Sequence, residues 1–244
     1  MTGINVLVDT KRLEQRLTSL ERSQLPYATR VALTRTAVKT RATVQKYMGL
    51  ALDRPTPFTI RGVLYKPSTA QSPVAEVFLR DEAVKGTPPA KYLQHLVDGG
   101  QRRQKRFERA LSATGKLERN EAAVPARAMK LNRYGNVSAS KIVQILSQTK
   151  SFSESGYLAN VTERSKAKGG RNKYFIPRPG SNLFRGVYER HGRKGRGIRP
   201  VLLFIPLSRY EKQFKFYEAV RQDVRRRYEG EFRAALQQAL RTAR

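Results

Sequence analysis

The sequence predicts an α+β fold, a modest antiparallel or mixed β-sheet flanked by long N-terminal and C-terminal helices and carrying extended basic loops. Three observations point there. Tyr217, Val220, Val224, Tyr228, Phe232, Ala235 and Ala239 advance in steps of three and four, the spacing that keeps side chains on one helix face. A second long stretch, Leu25 to Leu52, has Pro26 at its start and is followed by the breaker pair Pro55 and Pro57. Between these two helices short apolar runs alternate with Gly, Pro and Ser, the punctuation of strands and turns. Leu, Ile, Val and Phe make up 58 of the 244 residues, enough to form a core despite the charge. One domain over 1–244 is expected: a helical arm over 1–52, a sheet with helical insertions over 53–207, and a helix over 208–244.

Taken in order, Asp9 caps a short helix bearing Leu13, Leu17 and Leu20. Pro26 suits the first position of the long helix that follows. Its apolar stripe of Tyr27, Val31, Val38, Ala42, Met48 and Leu52 is interrupted by Arg41 and Gln45, which predicts a half-buried face or a subunit contact. Asp53 to Thr59 is extended, because each proline pushes its predecessor out of the α region. Gly62–Lys66 and Val74–Arg80 form a long-looped hairpin. Pro88-Pro89 opens a helix over Ala90–Val97, closed by Gly99-Gly100, and a second helix spans Arg102–Leu111. Lys116–Ser138 reads as irregular; a short helix carries Ile142, Val143, Ile145 and Leu146; 147–170 reads as a mobile loop. Strands follow at Tyr174–Ile176, Gly186–Arg190 and Val201–Ile205, the last central and buried because it is continuously apolar. Gly192 to Gly197 makes a basic, glycine-rich tip. Gly230 costs the last helix about 1 kcal/mol relative to alanine and marks a bend.

The chain carries 49 Lys and Arg against 19 Asp and Glu, a formal charge of +30. Self-repulsion of that size disfavours a compact state, so an acidic partner is expected. With no cysteine, disulfide frameworks, thiolate zinc sites, iron–sulfur clusters and thiol nucleophiles are all excluded. No apolar run approaches the roughly 20 residues of a bilayer span, and the N-terminus lacks the basic start and apolar stretch of a signal peptide. A soluble protein made in the cytosol, with no membrane partner, is expected.

Catalysis needs acids, bases or ligands gathered where charge develops, and they are sparse. His95 has no second His or Cys three or four residues away, and His191 ends Glu189-Arg190-His191 beside the basic tip. Asp53, Asp81, Glu82, Asp98 and Glu189 could hold a divalent ion only if folding gathered them. No phosphate loop, dinucleotide-binding glycine motif or nucleophile elbow occurs. No catalytic residue, metal ligand or cofactor is therefore assigned.

The basic segments carry the functional signal. Asn160 to Pro200 contains twelve Lys or Arg against Glu163 and Glu189. Arg171, Lys173, Arg193, Lys194 and Arg196 lie on loops from which charge-assisted hydrogen bonds could reach DNA phosphates or an acidic protein. Arg102, Arg103, Lys105 and Arg106 form a second candidate contact surface, on the most basic of the expected helices. Few aromatics interleave these loops, so any nucleic-acid contact would be sequence-blind rather than base-stacking.

Several segments, taken in order, carry a resemblance: Leu25–Ala37 (LPYATRVALTRTA), Asp53–Phe58 (DRPTPF), Lys91–Leu93 with Gly99-Gly100, and Lys105–Leu111 (KRFERAL). Tyr134–Asn136 (YGN), Ile142–Leu146 (IVQIL), Gly186–Arg190 (GVYER), Pro200–Pro206 (PVLLFIP) and Glu231–Leu236 (EFRAAL) extend it over most of the chain. Together they resemble the phage minor tail protein Z family. No single segment is a chemical signature; their order and combination carry the likeness. The resemblance implies a tail-completion or neck protein of a tailed phage: an α+β subunit of a homo-oligomeric ring at the head–tail junction, around the DNA channel. Its neighbours would be connector or portal adaptor proteins on one side and tail tube or tail terminator proteins on the other. Its location would be the virion, after assembly in the host cytoplasm. The family supplies no catalytic residues. Two rival readings remain at this stage: a general sequence-nonspecific nucleic-acid-binding protein, ribosome-associated or DNA-packaging, and a metal-dependent nuclease.

Overall fold

The computed structural model describes residues 3–5, 19–84, 86–152, 173–192 and 196–242. Its fold is α+β, with small antiparallel sheets and long helices near either end of the chain. The chain packs as two compact units, Met1–Gly100 with Tyr210–Arg244, and Gln101–Arg209. As expected, small antiparallel sheets accompany long N- and C-terminal helices; both long helices belong to the first unit, and each unit contains a sheet. The first unit is built from both ends of the chain.

The first unit begins with β1 (Gly3–Asn5), followed by α1 (Ser19–Ala51). Helix α1 starts upstream of the expected point and runs through Pro26, which cannot donate to the carbonyl of residue 22 and so leaves one gap in the helical ladder. Next come α2 (Pro57–Ile60), β2 (Val63–Lys66), β3 (Glu76–Leu79) and α3 (Pro89–Val97). The α2 turn lies inside a stretch expected to be extended. Thr56 Oγ1 accepts the Thr59 N–H and Pro57 occupies the first helical position, where its missing donor costs nothing. Strands β2 and β3 form the expected hairpin, with Val63 opposite Leu79 and Lys66 opposite Glu76, and β1 pairs on the other side of β3.

The long helix α6 (Phe216–Thr242) lies antiparallel to α1. Its buried positions include Val220, Val224, Ala235 and Ala239, as the periodicity predicts, and it passes Gly230 without interruption. The buried stripe of α1 shares only Met48 with the expected one. Leu25, Ala28, Ala32, Thr36, Thr40, Val44 and Met48 face inward, whereas Tyr27 is 48% exposed and Ala42 is exposed. Small residues win because α6 lies close: Ala28 and Ala32 pack with Ala235 and Ala239. Toward the other end Val44 and Met48 meet Phe214, Phe216 and Val220 over the sheet residues Val63, Val77 and Leu79.

Strand β4 (Gly100–Gln101) straddles the boundary to the second unit, which contains α4 (Arg106–Ala113), β5 (Glu121–Pro125) and α5 (Ala139–Gln148). Strands β6 (Tyr174–Phe175), β7 (Gly186–His191) and β8 (Gly197–Pro206) follow, with β9 (Arg209–Tyr210) at its exit. The sheet order is β5-β8-β7-β6, antiparallel throughout, so β8 is central as expected. Val201, Leu202 and Phe204 enter the core with Leu111, Ile145 and Val187, while Leu203 is half-buried and Ile205 is exposed. Gly186 is required where β7 meets β8, since a Cβ there would stand 2.3 Å from the Leu202 carbonyl oxygen. Strand β5 lies in a stretch that reads as irregular. Its Glu-Ala-Ala-Val-Pro sequence has little strand propensity, and pairing with β8 imposes the conformation.

Two further expectations change. The start of the expected mobile loop, Ser147 to Phe152, is a hydrogen-bonded helix end with Ser147, Thr149 and Ser151 buried. Its remainder, 153–170, lies outside the described residues, as do Leu13 and Leu17 of the helix expected after Asp9.

Candidate functional site

The charge is unevenly divided. Gln101–Arg209 carries 25 Lys and Arg against 6 Asp and Glu, a net +19, while the longer first unit carries 24 against 13. Electrostatic arrangement within the second unit decides what that surplus can do.

Each described carboxylate of the second unit is already paired. Glu108, fully buried on α4, accepts two hydrogen bonds from Arg102, Nη1 to Oε2 at 2.8 Å and Nη2 to Oε1 at 2.7 Å. The backbone N–H groups of Lys105 and Ala123 complete its shell at 2.6 and 3.0 Å. Burial acts to raise the Glu108 carboxyl, but the bonds from Arg102 and the two amides outweigh it and hold it below the usual carboxylate range. Glu118 and Glu121 share Arg185, whose Nη1 lies 2.5 and 2.8 Å from them.

Glu189 on β7 receives Arg199 through Nε and Nη2 at 2.9 and 2.7 Å and Lys173 at 3.0 Å. The buried Tyr174 donates its hydroxyl to Glu189 at 3.2 Å and accepts from Lys141 Nζ at 2.9 Å. Burial acts to raise Glu189, yet Arg199 and Lys173 hold it at about 2. The Tyr174 phenol is pushed up to about 12, first by burial and then by the adjacent Glu189 charge.

These pairs sort the nine sequence-predicted contact residues. Arg102 is a structural partner of Glu108, and Lys173 a partner of Glu189, so neither is a free contact. Arg102, Arg103 and Lys105 precede α4, with Lys105 at its N-cap, so the expected basic helix surface is reduced. Arg103, Lys105, Arg106 and Arg196 are exposed and, among the described residues, form no ion pair. Arg171, Arg193 and Lys194 lie outside the described residues. Exposed cations unassigned from the sequence join them, including Arg119, Arg127, Lys130 and Arg178. Sequence reading also missed the pairing of Arg185 and Arg199. A Glu ten residues from an Arg across a hairpin was its one visible trace.

His95 sits on α3 edge-on to Tyr210, ring centroids 4.8 Å apart, and His191 is exposed at the end of β7. Asp53 is paired with Arg54, while Asp81 and Asp98 line one cleft of the first unit. Among the described residues no group of three or more His, Cys, Asp or Glu could hold a metal ion, and no helix is long and apolar enough to cross a membrane. Compared with known proteins, the chain matches no family model, no curated protein and no solved structure.

Proposed function

We propose that this chain is a structural assembly subunit of a tailed phage, a tail-completion or neck protein forming a ring around the DNA channel at the head–tail junction. It joins connector or portal adaptor proteins to tail tube or tail terminator proteins, within the virion and, before that, in the host cytoplasm. The resemblance to the minor tail protein Z family names the setting. The physical support is one observation: the described carboxylates of the second unit are all consumed in ion pairs, while Arg103, Lys105, Arg106 and Arg196 stand exposed with no ion pair among the described residues. Such a surface presents cations to an outside polyanion or acidic protein instead of neutralising itself.

A channel densely lined with arginine would retain DNA, so most of the charge faces neighbouring acidic proteins and only a few tips reach phosphates. The test is mass determination and negative-stain imaging of the purified protein, alone and in tail-like particles. Rings in the images support the assignment. The charge surplus equally favours sequence-nonspecific nucleic-acid binding, and duplex binding with a steep salt slope but no ring would select that reading. Magnesium-dependent DNA cutting abolished by one carboxylate substitution would select a nuclease.

A further inference from the structure

Among the described residues of the second unit, four large apolar side chains are exposed, and Phe184 stands out from Leu131, Ile198 and Ile205 by about a factor of two. Phe184, in the loop before β7, is 84% exposed. Its loop is held from both sides: the buried Tyr188 donates its hydroxyl to the Phe184 carbonyl at 3.1 Å, and the next residue, Arg185, is fixed by Glu118 and Glu121. An exposed phenylalanine on a restrained backbone loses little entropy on docking, which is how an interface anchor is built. Arg178, exposed in the same loop, adds a cation with no ion pair among the described residues.

The first unit holds a feature of opposite character. A cleft of about 250 Å³ has apolar walls from Leu79, Ala90, Val97 and Tyr217, with the carboxylates of Asp81 and Asp98 beside them and Lys91 its one cation. Among the described residues neither carboxylate is in an ion pair, nor are Glu82, Glu211 and Glu218 of the same unit. Among the described residues, carboxylates without an ion pair thus occur in the first unit and not in the second.

We infer that Phe184 of one copy seats in the Leu79–Val97–Tyr217 cleft of a second copy, with Arg178 drawn to Asp81 and Asp98. The apolar walls suit the ring, and the charge asymmetry suits a second copy of this chain better than DNA, whose phosphates the two carboxylates would repel. Knob and hole are different surfaces, so the contact is heterologous and repeats head to tail until it closes. This deepens the ring assignment and rests on it for the closed form, though not for the contact itself.

The test is sedimentation of the full chain at low and high salt, with two variants. Phe184→Asp removes the knob, and Gln94→Trp, at an exposed helix position lining the cleft, fills the hole. The expected result is that wild type self-associates and dissociates as salt rises, while each variant alone weakens self-association by at least about 30-fold, the loss of a hot spot. An equimolar mixture forms a discrete dimer and nothing larger, since one intact knob and one intact hole remain. Unchanged circular dichroism spectra establish that both variants fold. A monomeric wild type at about 100 µM and low salt, variants that assemble like wild type, or a mixture that stays monomeric would each overturn the contact. Dimers from the mixture without rings in the wild type would instead overturn the phage-neck reading and leave the contact standing.

Discussion

Arg102 and Arg103 are adjacent and chemically identical, yet they have opposite roles. Arg102→Ala leaves the buried Glu108 without its bidentate partner and should cost about 3 kcal/mol, read as a lower unfolding midpoint in urea. Arg103→Ala, at an exposed position, should stay within about 0.5 kcal/mol. Glu189 gives a prediction in pH. Its folded value of about 2 lies below the ordinary 4.5, so its stabilisation is fully present above pH 4.5 and lost as pH falls toward 2. Because Arg199 and Lys173 are about half exposed, Glu189→Gln should cost only about 2 kcal/mol at pH 7. In thermal melts the gap to wild type should narrow steadily below pH 4.5; a gap independent of pH would refute the pairing. Thr36 is a buried hydroxyl without a hydrogen-bond partner, so Thr36→Val should raise stability by about 1 kcal/mol.

At the level of elements, the α1–α6 pair shows why a recognisable helix does not disclose its inner face. Phe232 and Tyr228 carry an obvious stripe on α6, and that helix was legible. The inner face of α1 is written in Ala28, Ala32, Thr36 and Thr40, residues that hydropathy scores as neutral and only a close neighbour turns into core. Thr40 reaches Asp223 at 3.0 Å, and Arg227 binds the same oxygen at 2.8 Å, so the seam also hides a satisfied charge. Ala32→Leu should overpack this contact and cost about 1–3 kcal/mol in chemical denaturation. Gly230 is exposed, helical and without neighbours around a prospective Cβ. Gly230→Ala should therefore stabilise by about 0.5–1 kcal/mol, and destabilisation would mean that α6 needs a hinge there.

For the molecule as a whole, the concentration of charge in Gln101–Arg209 sets the response to salt. If six of its cations engage duplex phosphates, log affinity should fall against log salt with a slope of about −5. Neutralising Arg103, Arg106 and Arg196 together should make that slope shallower by about 2–3 without altering the circular dichroism spectrum. A slope that does not change would place DNA contact elsewhere on the surface.

Composition and periodicity by themselves determined the α+β class, the C-terminal helix, the β2–β3 hairpin, the central place of β8 and the excess of cations, because each depends on local spacing or on a count. They did not reveal the two units, β5, or which arginines are spent on Glu108, Glu121 and Glu189. Those depend on which distant residues meet, and a strand such as Glu121–Pro125 exists only because β8 supplies its hydrogen-bonding partner. The same holds for Phe184: a phenylalanine reads as core in any sequence, and only the folded loop leaves it facing water.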